Sequence, residues 1–174
     1  MEKIIIDSET LKRTIRRISY EIIEKNNEIE NVILLGIKAK GIPLTKIIQE
    51  NIKQIEGISL ETGSIDITPY RDDIKSDILK EINKETVPFS IENKIVVLID
   101  DVLYTGRTIR AAMDAVMDLG RPKKIELAIL IDRGHRQLPI KANYIGKNIP
   151  TSKDELVKVI LSDLSSDDKI LIIK

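Results

Sequence analysis

The sequence predicts an α/β domain with a mainly parallel central sheet flanked by helices. Three observations predict it. Short apolar runs at residues 32–37, 95–99 and 125–131 lack polar alternation, as strands covered on both faces do. Between them, apolar residues recur at three- and four-residue spacing, the period of an amphipathic helix. Glycine and proline stand at the junctions, so strand and helix patterns alternate along the chain.

The elements follow in order. Residues 3–6 read as a short strand. Asp7 or Ser8 then caps a helix that carries Leu11, Ile15, Ile18 and Ile22 on one stripe. The run over 32–37 reads as a buried strand, followed by the turn Lys38-Ala39-Lys40-Gly41. Pro43 occupies a first helical turn, where its missing N–H costs nothing, and Leu44, Ile47, Ile48, Ile52 and Ile55 continue that helix. Residues 59–68 alternate around Ile65 and Ile67 as a half-exposed strand does. Periodicity then weakens, and residues 69–93 are expected to form a mobile loop; long connections in compact domains are usually functional. The strand over 95–99 feeds a helix over 107–119, stopped by Gly120 and Pro122. Further strands are expected at 125–131, 157–161 and 170–173.

Composition bounds the function. The chain has 174 residues, 42% hydrophobic and 32% charged, which suits one globular domain over 1–174 and excludes wholesale disorder, collagen and coiled coil. Its 28 basic and 28 acidic residues cancel, so net charge argues for no polyanionic partner. Without cysteine there is no disulfide, thiolate zinc site or Cys nucleophile. No apolar run approaches the ~20 residues that span a bilayer, and the N-terminus lacks a signal-peptide pattern. A soluble, cytoplasmic protein is expected.

The chemistry concentrates at Asp100-Asp101-Val102-Leu103-Tyr104-Thr105-Gly106-Arg107-Thr108. An apolar strand delivers two carboxylates to its C-terminal edge, where ligands bind open α/β sheets. A short turn with two hydroxyls and a glycine then opens a helix, whose unpaired N–H groups and positive dipole end suit a phosphate. Two acids beside a phosphate repel it unless they face a polyol or share a divalent cation. A ribose 5-phosphate meets both demands. The plain alternative is a capping acid followed by an ordinary strand-to-helix turn.

This string resembles the phosphoribosyl-pyrophosphate (PRPP) signature of type I phosphoribosyltransferases. The strings over 36–41, 65–73, 132–139 and 144–152 narrow the resemblance to the PyrR family of bifunctional pyrimidine-operon attenuators and uracil phosphoribosyltransferases. The resemblance implies a type I phosphoribosyltransferase fold with a small hood and a mobile loop. It implies conversion of uracil and PRPP into UMP and pyrophosphate with Mg²⁺, held mainly by substrate oxygens. It also implies binding of pyrimidine-operon leader mRNA under the control of UMP and UTP, in a homodimer or higher homo-oligomer.

Carried over by position, Lys38, Ala39, Lys40 and Gly41 match the pyrophosphate loop, and Arg71 the arginine of the loop that closes over PRPP. Asp100, Asp101, Val102, Leu103, Tyr104, Thr105, Gly106, Arg107 and Thr108 match the ribose-phosphate site. Arg133 and Val157 fall where the family contacts its base or nucleotide. Asp100, Asp101, Arg71 and Lys38 are the catalytic candidates, acting by positioning and electrostatics rather than as a nucleophile. The sequence departs from the family in having Ala39-Lys40 where Thr-Arg is usual, and a shorter mobile loop.

Two regions are candidates for RNA. Residues 121–147 hold seven basic side chains against two acids, among them Arg136, Lys141 and Lys147, with His135 alongside. On the first helix, Arg13, Arg16, Arg17 and Tyr20 lie opposite the apolar stripe as a basic band with one aromatic. Arg16 and Tyr20 stand where the family commonly has Thr and His. Charged helix faces are commonly plain solvated surface, so this assignment rests on the resemblance. The alternative function is a nucleotide-sensing RNA regulator with little or no catalysis. A purine phosphoribosyltransferase without RNA function is disfavoured by the 132–139 and 144–152 strings.

Overall fold

The structure is a computed structural model and describes residues 1–73 and 86–174. The strands over the described residues are β1 Glu2–Ile6, β2 Val32–Ile37, β3 Thr62–Ile65, β4 Ile95–Leu103, β5 Lys124–Asp132, β6 Tyr144–Asn148, β7 Leu156–Ile160 and β8 Lys169–Ile173; the helices are α1 Ser8–Lys25, α2 Gly41–Glu56 and α3 Arg107–Leu119. The central sheet has the order β3-β2-β4-β5-β6, with every pairing parallel. A second, antiparallel sheet of order β1-β8-β7 joins the two chain ends as a small hood.

Sequence dictates these elements through caps and stripes. Asp7 accepts a hydrogen bond from the Thr10 N–H at 2.8 Å, and Leu11, Ile15, Ile18 and Ile22 are fully buried. They pack with Leu44, Ile48 and Ile52 of α2 against Leu34, Val97, Ile99, Ala128 and Leu130 on one sheet face. The opposite face, with Ile33, Leu35, Val96, Leu98, Leu127 and Ile129, is covered by Ile109, Ala112 and Val116 of α3. Strands buried on both faces explain the unbroken apolar runs.

Three expectations shift. The strand expected over 95–99 continues to Leu103, because β5 runs on to Asp132 and pairs with it: Asp100 lies opposite Ile129 and Leu103 opposite Asp132. The 59–68 strand shrinks to Thr62–Ile65, and a 3₁₀ turn follows over Thr68–Tyr70. β6 adds a fifth strand where only a motif was read; with Gly146, Lys147 and Asn148 in five residues it has no apolar run to announce it. Of the mobile loop expected over 69–93, residues 74–85 lie outside the described residues. Its described flanks hold Tyr70, Val87 and Ile91, all buried in the core on the α3 side.

Two glycines set the spacing between α2 and the sheet. A methyl group on Gly41 would sit 2.2 Å from the Ile99 carbonyl oxygen, and one on Gly36 would sit 2.6 Å from the Thr45 hydroxyl. The first turn of α2 is thus pressed onto β4, which brings the Lys38–Lys40 turn beside the end of that strand. Gly41→Ala is expected to push α2 off β4 and to cost about 2–3 kcal/mol by overpacking. In thermal unfolding that is a drop in Tm of roughly 5–10 °C for a chain of this size, accompanied by weakened PRPP binding.

Candidate active site

The site lies at the C-terminal ends of the parallel strands, where β2, β4 and β5 deliver their loops. Asp100 is buried at the end of β4 and accepts the Asp101 N–H at 2.9 Å. Burial pushes the Asp100 carboxyl well above the usual carboxylate range, and the neighbouring Asp101 charge pushes the same way. Burial also raises Asp101, against the hydrogen bonds of Asp100 and the Val102 N–H and the positive charge of Lys40. Lys38, Ala39 and Lys40 are exposed, and Gly41 beneath them is buried.

The turn after β4 reaches α3 through Gly106, whose φ of 94° is the left-handed conformation that glycine adopts without strain. The Thr105 hydroxyl accepts the Arg107 N–H at 3.3 Å. The neighbouring cleft has a volume of about 280 Å³ and is bordered by Thr105, Thr108, Arg107 and Arg71, together with Asp72 and Asp73. Arg107 donates to Gln137 at 2.9 Å and to Asp72 at 2.6 Å, while Arg71 pairs with Asp73.

A second cleft of about 460 Å³ lies beside it, between residues 132–136 and 148–151. Arg133 is buried: it donates to the Thr151 hydroxyl at 3.0 Å and to the Glu155 carbonyl at 2.7 Å, with its guanidinium 4.1 Å from the Tyr104 ring centroid. His135 meets the Thr151 carbonyl at 2.5 Å, which requires the proton on Nε2, and sets its ring edge-on to Tyr104 at 5.8 Å. Val157 faces inward from the hood, in the cluster that Val102 joins. Lys40 thus acts on Asp101, Arg71 shares a cleft with Thr105, Arg107 and Thr108, Arg133 borders the second cleft, and Val157 of the hood packs in the cluster that Val102 joins.

The RNA candidates divide. Arg17 reaches the carbonyls of Ile145 and Gly146 on β6 and pairs with Glu21, which places it beside exposed Lys147. Arg13 lies one turn earlier, and Arg16 stacks over Tyr20 at 5.7 Å. Arg136 turns inward, donating to the carbonyls of Ile140 at 2.8 Å and Tyr104 at 2.9 Å and pairing with Asp132. Lys141 borders the α3 side of the sheet beside Met113, away from α1. Sequence reading missed Gln137 and Thr151, which hold Arg107, Arg133 and His135; a polar residue in a loop carries no pattern that announces its partner.

Residues 3–164 match the phosphoribosyl transferase domain family. The chain belongs to that family. Within it, relatives named bifunctional protein PyrR are 56% identical in Enterococcus faecalis, over 99% of this chain and 97% of theirs, and 50% identical in Clostridioides difficile, over 97% and 96%. The relative in Caldicellulosiruptor bescii is 52% identical, over 99% and 96%. The chain is a PyrR-family member on this evidence of sequence. Solved hypoxanthine phosphoribosyltransferases share the fold: that of Staphylococcus aureus has a TM-score of 0.69 at 22% identity, covering 89% of this chain and 80% of that one. A Bacillus anthracis hypoxanthine-guanine enzyme has a TM-score of 0.69 at 20% identity, over 90% and 87%.

Among the described residues, no cluster of three or more His, Asp or Glu side chains is placed to hold a metal ion, and no helix is long and apolar enough to cross a membrane. The adjacent carboxylates fit a partner that brings positive charge or hydroxyl donors. A carboxyl raised by burial favours the folded state below the unfolded pKa, near 3.8, and loses that contribution as pH rises through the folded value. Asp100→Asn should therefore unfold at a higher temperature than the parent at pH 7 without ligand. The advantage should vanish as the pH falls toward 4, as calorimetric scans of both proteins across pH would show.

Proposed function

We propose that the chain transfers the phosphoribosyl group of PRPP to uracil, giving UMP and pyrophosphate, and binds pyrimidine-operon leader mRNA under uridine-nucleotide control to promote transcription termination. The observation that supports the catalytic reading is the placement of the Asp100–Asp101 pair at the end of β4, with the Lys40 charge acting on Asp101 and the Gly106 turn leading from the same strand into α3. Family membership carries the regulatory reading. The protein acts as a single domain, in the cytoplasm, as a homodimer or higher homo-oligomer.

In the reaction, the bond from C1 of ribose to the pyrophosphate oxygen breaks as the bond to N1 of uracil forms, and the proton on N1 leaves to the released pyrophosphate or to water. Charge builds in two places, positive on the sugar ring and negative on the leaving group. Asp100 and Asp101 accept hydrogen bonds from the ribose hydroxyls and place negative charge beside the ring. The amides opening α3, with Thr105 and Thr108, hold the 5-phosphate. Lys38, Lys40 and Arg71 stabilise the departing pyrophosphate. Mg²⁺, held mainly by substrate oxygens with Asp100 and Asp101 nearby, supplies further charge neutralisation when bound. Arg133 holds the 151–155 backbone, so its contribution to the base site is to shape it.

RNA binding uses Arg13, Arg16, Arg17 and Tyr20 with Lys147, a single surface along α1 and the neighbouring edge of β6. His135 and Arg136 border the second cleft and brace its loop through Thr151, Ile140, Tyr104 and Asp132.

Purified protein with Mg²⁺, uracil and PRPP should form UMP, and Asp101→Asn should lower kcat by about 10²-fold or more, the scale of losing one electrostatic contact made in the transition state. No turnover at saturating substrates would leave the nucleotide-sensing reading. For RNA, filter binding to the leader transcript should tighten with UMP. Arg17→Ala with Lys147→Ala should weaken it and reduce the salt slope by about two while sparing UMP synthesis, since each phosphate contact contributes about one. An unchanged slope would take both residues out of the interface.

A further inference from the structure

The acids at 72 and 73 have no evident place in a phosphate-binding cleft. They border the same cavity as Thr105 and Thr108, and negative charge there opposes a phosphate. Yet both guanidinium groups of the cleft face a carboxylate: Arg107 donates to Asp72 at 2.6 Å, and Arg71 donates through Nε to Asp73 at 2.9 Å. A carboxylate can offer an arginine paired oxygens as a phosphate does, with less charge: Asp73 takes Nε and Nη2 of Arg71 in this way, while Asp72 makes a single contact to Arg107.

This arrangement is built in. The Tyr70 hydroxyl donates to Asp118 at 2.6 Å and Arg110 donates to the Tyr70 carbonyl at 2.7 Å, so the backbone just before Asp72 is fastened to α3. Arg107 starts that helix, and Gln137 holds its Nε from the other side at 2.9 Å. The turn that leads to Asp72 and the helix that carries its arginine are thereby held against each other.

We propose that Asp72 and Asp73 are specificity-determining residues that stand in for the substrate's phosphate. This inference rests on the functional reading above. In the ligand-free protein they hold Arg107 and Arg71 in phosphate-ready poses. PRPP binding is then an exchange of one anion for another, and a phosphate wins because it carries nearly two charges at neutral pH where a carboxylate carries one. A ligand without a dianionic phosphate gains too little to displace them. The pairs are solvent-exposed, so each imposes a shallow threshold rather than a block.

Calorimetric titration with PRPP and Mg²⁺, without uracil, tests this. Asp72→Asn should lower the Kd by about two- to fivefold, the range of an exposed ion pair. The gain should disappear in an Arg107→Gln background, whereas a general loss of negative charge would persist there. Asp72→Glu, which keeps the pair, should bind as the parent does. An unchanged or raised Kd for Asp72→Asn, or a gain that survives Arg107→Gln, overturns the proposal. If the parent and every variant bind with the same Kd, the functional reading stands without it; if none binds PRPP, both fall.

Discussion

Two adjacent carboxylates at the end of β4, Asp100 buried and Asp101 half-buried, are the constraint around which the site is arranged. A buried charge is tolerated only with partners, and burial here raises both Asp100 and Asp101. The available compensation is local: the Asp101 N–H for Asp100, the Val102 N–H and the Lys40 charge for Asp101. Lys40 reaches that position because Gly41 lets α2 press onto the Ile99 carbonyl. A side chain at 41 would lift the Lys38–Lys40 turn and move away the Lys40 charge that offsets Asp101. Packing density beneath the site and electrostatics within it are therefore one requirement.

The same coupling explains what could be read from sequence. The apolar cores of β2, β4 and β5, the stripe of α1 and both ends of α3 are local patterns, set by burial on two faces, helical period and the Gly106 and Gly120 stops. The hood was invisible in its pairing, since β1 and β8 meet from opposite ends of the chain and Glu2 lies opposite Ile173. β6 was invisible because an edge strand under α1 needs few apolar residues, and Gly146 serves close approach to Leu130 rather than a turn. Asp100, Asp101, Thr105 and Gly106 could be singled out because two acids ending an apolar strand, followed by a hydroxyl and a glycine that open a helix, form a local pattern. Gln137 and Thr151 were not, because their roles depend on which loops meet. The structure also divides the basic residues over 121–147, turning Arg136 inward and leaving Lys141 on the α3 side.

That division matters for how a chain with no net charge could hold RNA. A polyanion responds to the local field, which falls off over about 8–10 Å at physiological salt. Arg17 is held by the β6 carbonyls and by Glu21, so its guanidinium is fixed in place before any partner arrives. Arg16 against Tyr20 places a cation on an aromatic face, leaving that ring partly exposed for a base. A preorganised band of this kind loses less side-chain entropy on binding than free lysines would.

Lys40 is the residue at which these arguments converge. An arginine there would offer a leaving pyrophosphate two parallel hydrogen bonds, and lysine surrenders that geometry. What lysine retains is a compact charge on a flexible stem, and the same charge already lowers the proton affinity of Asp101. Under the proposed reaction, pyrophosphate would compete with Asp101 for that ammonium, which would link the leaving group's charge and the carboxylate's through one cation. Stabilising the departing anion then leaves Asp101 less compensated, with its negative charge freer to act on the ribose that has just become electron-poor. A lysine here would thus give up directional grip on the pyrophosphate while keeping the positive charge that acts on Asp101.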